Sequence, residues 1–264
     1  MSLAKFAVLC NAQFKLRKRN PCFILFQLFK ISYNYQKIST SRISQNLKKW
    51  EKIVSFTLSR IVFMSQNLYL KKIESYNTRY ALPRWSECAL LVIDMQEYFS
   101  RLAYPILKNV SDLIQSFRIH KLPVIYTQHG HKNPQKDGGM LAQWWNELIL
   151  FGSPQWQIIK DIQPLQNEKV IRKCCYSAFR TTSLNSYLRK LKISSIIVSG
   201  VMTNLCCETT AREAFQSGYQ VFFLADATNT VNEDLHICTL KNLAFGFAHI
   251  VDTHTLIENM TKSF

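Results

Sequence analysis

The stretch Ser195–Phe215, SIIVSGVMTNLCCETTAREAF, combines two patterns that together indicate the fold. It begins with a continuous apolar run, SIIVSG, which is typical of a strand buried on both faces of a parallel sheet. From Cys206 onward the apolar residues recur at helical spacing. A buried strand followed directly by a helix is the repeating unit of α/β proteins. Two adjacent cysteines, Cys206 and Cys207, lie where the first pattern gives way to the second, and one of them is a candidate nucleophile.

The same alternation extends through the chain from Ala89 onward. Strands are predicted at six apolar runs: ALLVID (Ala89–Asp94), PVIYT (Pro123–Thr127), KVIR (Lys169–Arg172), SIIVSG (Ser195–Gly200), QVFFLAD (Gln220–Asp226) and HIVDT (His249–Thr253). Helices are predicted between them at 105–120, 140–150, 181–192, 206–217 and 233–246. The expected fold is a doubly wound α/β domain, with a mostly parallel six-stranded sheet and helices on both faces, as in Rossmann-like three-layer proteins. No Gly-rich phosphate loop opens a helix, so a nucleotide cofactor is not supported.

The positive charge is concentrated at the N-terminus. The formal net charge is +16, but residues 1–63 contain twelve Lys or Arg and one acid, which leaves 21 basic and 16 acidic residues beyond them. The body therefore has no basic stripe of the kind that binds nucleic acid. We expect a domain at 64–264 and no nucleic-acid partner.

Residues 1–63 allow two interpretations. A basic, Ser-bearing, nearly acid-free stretch fits an organelle transit peptide. Alternatively the reading frame is over-extended and translation starts at Met64, which we prefer because composition alone supports targeting. The apolar run at Cys22–Phe29 is far too short to cross a bilayer, so no membrane span is predicted.

The eight cysteines indicate a reducing compartment. Their density is below that of secreted disulfide scaffolds, and no C-x-x-C pair of the zinc-binding kind is present. We therefore expect free thiols and a cytoplasmic protein, or an organellar one if residues 1–63 are a transit peptide.

Three polar residues follow strand ends in the predicted sheet: Asp94, Lys173 and Cys206. Each alone has an ordinary structural interpretation, as a turn cap, a solvated lysine or a core cysteine. In a parallel sheet, however, the carboxyl ends of the strands form the ligand crevice, so these side chains are expected to meet there. A helix start stabilises a thiolate, a carboxylate accepts its proton, and an ammonium holds that carboxylate ionised. Attack of Cys206 on an electrophilic carbonyl is the chemistry that follows.

The chain resembles the isochorismatase-like cysteine hydrolases, which include nicotinamidases, ureidoacrylate amidohydrolases and biuret hydrolases. The matching motifs occur in the family's order from about Ala89 to Thr253: LLVIDMQEYF, TQHGHKNPQKDGGMLAQWW, KCCYSAFRTTSL, SGVMTNLCCETTAREAF, FLADATNT and HICTLKNLAFGFAHIVDT.

The resemblance implies a catalytic triad of Asp94, Lys173 and Cys206, and a cis peptide between Val201 and Met202 that turns the amides of Met202 and Cys206 toward an oxyanion. It implies hydrolysis of a small amide or ureide through a Cys206 thioester, with no cofactor, in a homo-oligomer. Isochorismatase-type cleavage of a vinyl ether is disfavoured, because such enzymes typically carry Gly where this chain has Cys206. A thiol sensor or binding protein on the same scaffold is a third alternative.

Histidines and aromatic residues near these motifs are further candidates. His129 and His131 follow a strand end and invite a metal interpretation. The resemblance matches His131 to a ligand of the metal-binding family members, but the position of His129 usually carries an aspartate there, and further histidine ligands follow soon after. Here the next histidine is His236, so we predict no metal and a polar pocket wall at His129. Paired tryptophans in a helical pattern are more often core than site. The resemblance nevertheless places this region near the substrate or at a subunit contact, with the candidate residues Trp144, Trp145, Tyr176 and Phe179.

The remaining predictions concern packing. Cys174 and Cys175 are adjacent, which strains a disulfide, so plain burial is expected for both. Glu208 and Arg212 are spaced to pair on one helix, as structural support. Helical spacing aligns Cys207 with an apolar stripe, which makes Cys207 a packing residue and turns Cys206 toward the crevice; the stripe is Ala211, Ala214 and Phe215.

Overall fold

The computed structural model describes residues 68–264. The predictions for residues 1–63, including the transit-peptide interpretation, lie outside the described residues. Within 68–264, no helix has the length and apolar character needed to cross a membrane.

The described residues contain a six-stranded sheet in which every pairing is parallel. The strands are β1 (Cys88–Ile93), β2 (Val124–His129), β3 (Lys169–Lys173), β4 (Ser195–Val201), β5 (Gln220–Asn229) and β6 (His249–Val251). Their spatial order is β3-β2-β1-β4-β5-β6, so the direction of winding reverses between β1 and β4. Ligands bind at such a switch point, beyond the carboxyl ends of the strands. The predicted fold class is confirmed.

Six longer helices cover the sheet. They are α1 (Leu107–Ile119), α2 (Gly139–Trp144), α3 (Leu184–Lys190), α4 (Glu208–Gln216), α5 (Glu233–Gly246) and α6 (Thr253–Ser263). The prediction for α5 is correct at both ends. The helix predicted at 140–150 ends at Trp144, because Trp145 is extended and its indole N–H donates to the Tyr176 hydroxyl at 2.8 Å.

Alternate residues of β1 face two separate apolar cores, as the two-residue period of a strand requires. Leu91 and Ile93 pack in the core beneath α3, α4 and α5. Leu90 and Val92 pack in the core that includes α1 and α6. The domain is therefore three layers, with the sheet between two sets of helices.

Gly200 allows β4 and β1 to approach closely beside the site. Its φ is +113°, and a Cβ at this position would lie 2.1 Å from the carbonyl oxygen of Ile93. Glycine alone tolerates both conditions. The register of β4 against β5 also shifts between Val198 and Gly200, which changes the path of the chain just before Cys206.

An N-terminal strap, residues 68–87, precedes the sheet and crosses its β6 side. The Asn77 side chain donates to the carbonyl of Ile250 at 2.9 Å, and the Arg79 guanidinium donates to the carbonyl of Phe245 at 2.7 Å. Ile73 of the strap is fully buried in the core beneath α3, α4 and α5.

Candidate active site

Three side chains from different strand ends meet at the carboxyl edge of the sheet. Asp94 follows β1, Lys173 ends β3, and Cys206 lies in the turn after β4. The Lys173 ammonium is 2.6 Å from Asp94 Oδ2 and 3.4 Å from Cys206 Sγ, and it also donates to the carbonyl of Cys175 at 3.0 Å. All three residues are at most 5% exposed. The sequence prediction that they converge is therefore met by the geometry.

Asp94 is fixed by Thr127, a residue that the sequence prediction did not select. The Thr127 hydroxyl donates to Asp94 Oδ1 at 2.5 Å and accepts from the Asp94 backbone N–H at 3.0 Å. Asp94 has a positive φ of 47°, which is uncommon for a residue with a Cβ. The double contact to the neighbouring strand β2 holds the carboxylate in this conformation, directed at Lys173. The sequence signal that could have identified Thr127 is a polar residue at the end of a buried apolar strand.

Burial keeps the Cys206 sulfur protonated in the free protein. Burial raises the pKa of the Cys206 thiol to about 12, although the positive charge of Lys173 acts in the opposite direction. Desolvation therefore outweighs the favourable charge in the free protein. A protonated thiol needs a base to become a nucleophile. The Asp94 carboxylate contacts the same Lys173 ammonium that contacts Cys206.

Lys173 contacts both partners through its ammonium. Burial lowers the pKa of Lys173, but the charge of Asp94 and the hydrogen bonds to Asp94 and Cys206 raise it above its ordinary value. The ammonium therefore stays charged in a fully buried position. Replacing only one partner of such an ion pair by a neutral residue destabilises the fold, because the remaining charge is buried without a partner.

The turn that carries Cys206 begins earlier than the predicted helix. The Val201–Met202 peptide is cis, and residues Thr203–Cys207 form one turn of π-helix before α4. The carbonyl of Met202 accepts from the backbone N–H groups of Leu205 and Cys207, both at 3.1 Å. Cys206 thus lies inside a wide turn that starts three residues before the helix predicted at 206.

The predicted apolar stripe that includes Cys207 is buried except for one residue. Cys207, Ala211 and Ala214 are fully buried in the core beneath α3, α4 and α5. Phe215 is 48% exposed, so its inclusion in the stripe was wrong. It lies near the end of α4, where its ring contacts Phe247 edge-on at 5.5 Å instead of packing on the sheet.

His129 and His131 lie beside the triad and are both buried. The backbone of His129 is held by Gln96, whose amide accepts from its N–H at 2.7 Å and donates to its carbonyl at 2.9 Å. His131 Nδ1 is 3.3 Å from Asp137 Oδ1, and the two imidazole rings are 5.1 Å apart and nearly perpendicular. Burial and the charge of Lys173 lower the pKa of His129 to about 4.

The residues described by the structure do not fit a metal. Within 68–264, no cluster of three or more His, Cys, Asp or Glu side chains is arranged to hold an ion. Asp137, the nearest acid to His131, also accepts from the amides of Lys132 and Asn133. The next histidine, His236, bonds to Thr203 and Ala225 instead.

The aromatic candidates do not form one group. Trp144 is 75% exposed at the end of α2, so the core interpretation does not apply to it. Trp145 and Tyr176 are joined by their hydrogen bond. Phe179 is buried in the core, with its ring 5.8 Å from that of Tyr219.

Two packing predictions have different outcomes. Cys174 and Cys175 are free, as expected, but they are half-buried rather than buried because they lie in the loop after β3. Arg212 pairs with Glu208 at 2.7 Å, and Glu208 also accepts from the Thr239 hydroxyl at 2.8 Å. The predicted pair therefore joins α4 to α5.

Comparison with known families and relatives gives a consistent set of matches. The model of the isochorismatase domain matches residues 88–255. Nicotinamidase 3 of Arabidopsis thaliana is 50% identical over 188 residues, which span 70% of this chain and 94% of that protein. The ureidoacrylate amidohydrolase RutB of Yersinia enterocolitica is 30% identical over 210 residues, which span 67% of this chain and 91% of that protein.

Solved structures share the fold. A cysteine hydrolase from Pseudomonas syringae pv. phaseolicola has a TM-score of 0.66 and 25% identity, over 71% of this chain and 100% of that one. N-carbamoylsarcosine amidase from Thermoplasma acidophilum has a TM-score of 0.57 and 24% identity, over 63% of this chain and 96% of that one. The latter likeness concerns the fold alone.

Proposed function

The chain belongs to the isochorismatase family of hydrolases, and from that premise we propose that it hydrolyses a small primary amide or ureide through a covalent Cys206 thioester. One observation carries the proposal: a buried Lys173 ammonium contacts both the Asp94 carboxylate and the Cys206 sulfur. A thiol and a carboxylate base that contact the same cation are groups suited to acyl transfer.

Nicotinamide is the first substrate that we propose. The support is the 50% identity to a nicotinamidase that is matched over nearly its whole length. A ureidoacrylate amidohydrolase is matched at 30% identity, so ureides are the second substrate class.

In the first step, the Asp94 carboxylate takes the proton of the Cys206 thiol as the sulfur attacks the amide carbonyl. Because burial raises the pKa of the thiol to about 12, the sulfur needs a base to remove its proton for attack. The charge on Lys173 favours the negative sulfur and keeps Asp94 in place. We assign the amides of Met202 and Cys206 to the developing oxyanion.

In the second step, Asp94 returns the proton to the amine nitrogen and the C–N bond breaks. Ammonia leaves, and Cys206 remains as a thioester. Water then attacks the thioester with Asp94 as base, which releases the carboxylic acid and restores the thiol. In this proposal Asp94 carries every proton that is transferred, and no step uses a metal ion or cofactor.

The test is a substrate panel on the purified full chain: nicotinamide, ureidoacrylate, biuret, N-carbamoyl amino acids and isochorismate. We expect ammonia release from at least one amide or ureide, together with an acyl adduct on Cys206 detected by mass spectrometry after acid quench. Pyruvate from isochorismate without ammonia from any amide would support the vinyl ether alternative. No product and no adduct would leave the thiol-sensor alternative.

The assembly and the compartment are further predictions. Light scattering on the purified chain tests the homo-oligomer expected from the family resemblance. A fluorescent protein fused after residues 1–63 tests the organellar alternative against a cytoplasmic location.

A further inference from the structure

Two buried imidazole nitrogens beside the triad lack a hydrogen-bond partner in the described part of the chain. They are His129 Nδ1 and His131 Nε2. Leaving a buried polar atom unpaired costs about 1–3 kcal/mol, so such atoms are rare and need an explanation. Two of them on neighbouring rings are available to a ligand or an ordered water.

His129 borders the reacting groups directly. It is paired in register with Lys173 across β2 and β3, and paired residues of parallel strands project from the same face of a sheet. The Lys173 side chain reaches Asp94 and Cys206 on that face. The carbonyl of Cys175, two residues beyond Lys173, accepts from the Lys173 ammonium at 3.0 Å. The His131 ring lies next to the His129 ring, with their centroids 5.1 Å apart.

The protons of the two rings are assigned from their neighbours. His131 Nδ1 faces the Asp137 carboxylate and donates to it, which leaves Nε2 of that tautomer as a lone-pair acceptor. His129 Nδ1 has no partner, and we assign the proton of this ring to Nε2, which leaves Nδ1 as an acceptor. Burial favours the neutral form of His129.

Resting on the proposed function, we propose that His129 Nδ1 and His131 Nε2 form an imidazole acceptor pair that binds the NH2 group of the scissile amide and then the ammonia it becomes. Two acceptors that bind the two hydrogens of one planar NH2 group lie about 5 Å apart. The two rings are neighbours, with their centroids 5.1 Å apart. Lone pairs select an N–H donor and reject an acceptor.

The pair would orient the leaving nitrogen for its protonation. With both N–H bonds held by the histidines, the nitrogen lone pair of the tetrahedral intermediate faces away from them and accepts the proton that Asp94 took from Cys206. The C–N bond then breaks to give ammonia and the thioester. Hydroxylamine bound at the same place attacks the thioester, which forms a hydroxamic acid and returns the sulfur to Cys206 as a thiol.

The first measurement uses the wild-type chain and compares each primary amide that turns over with its N-methyl derivative. A methyl group replaces one donor and leaves one acceptor unpaired, so we expect kcat/KM to fall by at least about tenfold. Equal kcat/KM values for the two amides would overturn the acceptor pair while leaving the proposed function intact.

The second measurement is partition of the thioester between water and hydroxylamine. Hydroxamate formation should saturate with hydroxylamine in the wild type. His129→Phe and His131→Phe remove the acceptors, so the half-saturating concentration should rise about tenfold or more, and hydroxamate formation should no longer saturate over the range that saturates the wild type. His129→Asn and His131→Gln place an amide at the position of the unpaired nitrogen and should restore saturation. His254→Gln, on an exposed position of α6, is the matched control.

Several outcomes would decide against the pair. Phenylalanine variants that hydrolyse the amide and saturate with hydroxylamine as the wild type does would overturn it. So would one equivalent of zinc bound to the wild type and lost from His131→Phe, because the lone pairs would then be metal ligands. If a phenylalanine variant does not fold, the N-methyl comparison decides alone. Failure of every amide to turn over would overturn the proposed function as well.

Discussion

Cys206 and Cys207 differ in what their sulfurs contact, although they are adjacent in the chain. Cys206 is 3.4 Å from the Lys173 ammonium, and Cys207 is fully buried among apolar side chains. Burial also raises the pKa of Cys207 well above its ordinary value, which disfavours its reactive thiolate form.

We predict opposite results for serine at these two positions. Cys206→Ser should lower kcat by at least about 10³-fold without lowering the melting temperature, because it removes the nucleophile and little volume. Cys207→Ser should keep kcat within severalfold of the wild type but lose about 1–3 kcal/mol of stability, since a hydroxyl is buried among apolar groups. Steady-state kinetics and thermal unfolding of both variants measure this. An active Cys206→Ser variant would exclude the thioester.

Thr127 is predicted to be a positioning residue that acts through Asp94. Thr127→Val keeps the shape of the side chain but removes the donor to Asp94 Oδ1, so kcat should fall about 10- to 30-fold with KM nearly unchanged. Thr127→Ser retains the hydroxyl and should recover most of kcat. A purely structural role would instead make the two variants differ in melting temperature and not in kcat.

The site residues that could be identified from the sequence are those of a reactive type that follow a predicted strand. Asp94, Lys173 and Cys206 each follow an apolar strand and are reactive types. Thr127 was missed because threonine is a common strand residue, and its role depends on the positive φ of Asp94. The high pKa of Cys206 could not be foreseen, because it depends on how completely α4, α5 and the sheet exclude water.

At the scale of elements, His236 joins three parts of the fold. It lies on α5, and its ring nitrogens bond to the Thr203 hydroxyl at the start of the π turn and to the Ala225 carbonyl of β5. Burial lowers the pKa of His236 to about 4 from an ordinary 6.5. The folded state therefore takes up a proton less readily than the unfolded state.

We predict that His236 makes the fold acid-sensitive. A histidine whose pKa is lowered on folding stabilises the fold fully above pH 6.5, and this contribution is lost as the pH falls from 6.5 through 4. The stability advantage of the wild type over His236→Gln should therefore shrink by about 2–3 kcal/mol between pH 7 and pH 4. His129 and Asp226 titrate in both proteins, so their contributions cancel. Urea unfolding at several pH values measures the difference, and a constant difference would contradict the prediction.

Most strand and helix positions followed from the apolar pattern, and the exceptions have identifiable causes. Strand β5 extends past the predicted Asp226 to Asn229 because polar residues there still pair with β4. Helix α6 was not predicted, although the Asp252 carboxylate caps it by accepting from the Thr255 N–H, and Leu256 and Met260 are spaced for one face. The π turn before α4 leaves no periodic signal, since it is a single turn.

At the scale of the whole molecule, the N-terminal strap adds contacts that the family match does not include. The matched region begins at residue 88, whereas Ile73 and Trp85 of the strap are buried and belong to opposite cores. Lys72 also forms an ion pair with Glu233. The folded unit is therefore larger than residues 88–255.

The last prediction compares two shortened chains with the full one. A chain starting at Met64 keeps the strap, both cores and the triad, so its kcat and melting temperature should equal those of the full chain. A chain starting at Cys88 loses Ile73 and Trp85 from the two cores and should lose roughly 5 kcal/mol or more of stability. Because Asn77 also bonds to Ile250, the loss should appear first as weaker hydrogen-exchange protection of β6. Equal stability of the Met64 and Cys88 chains would show that the strap contributes nothing to the fold.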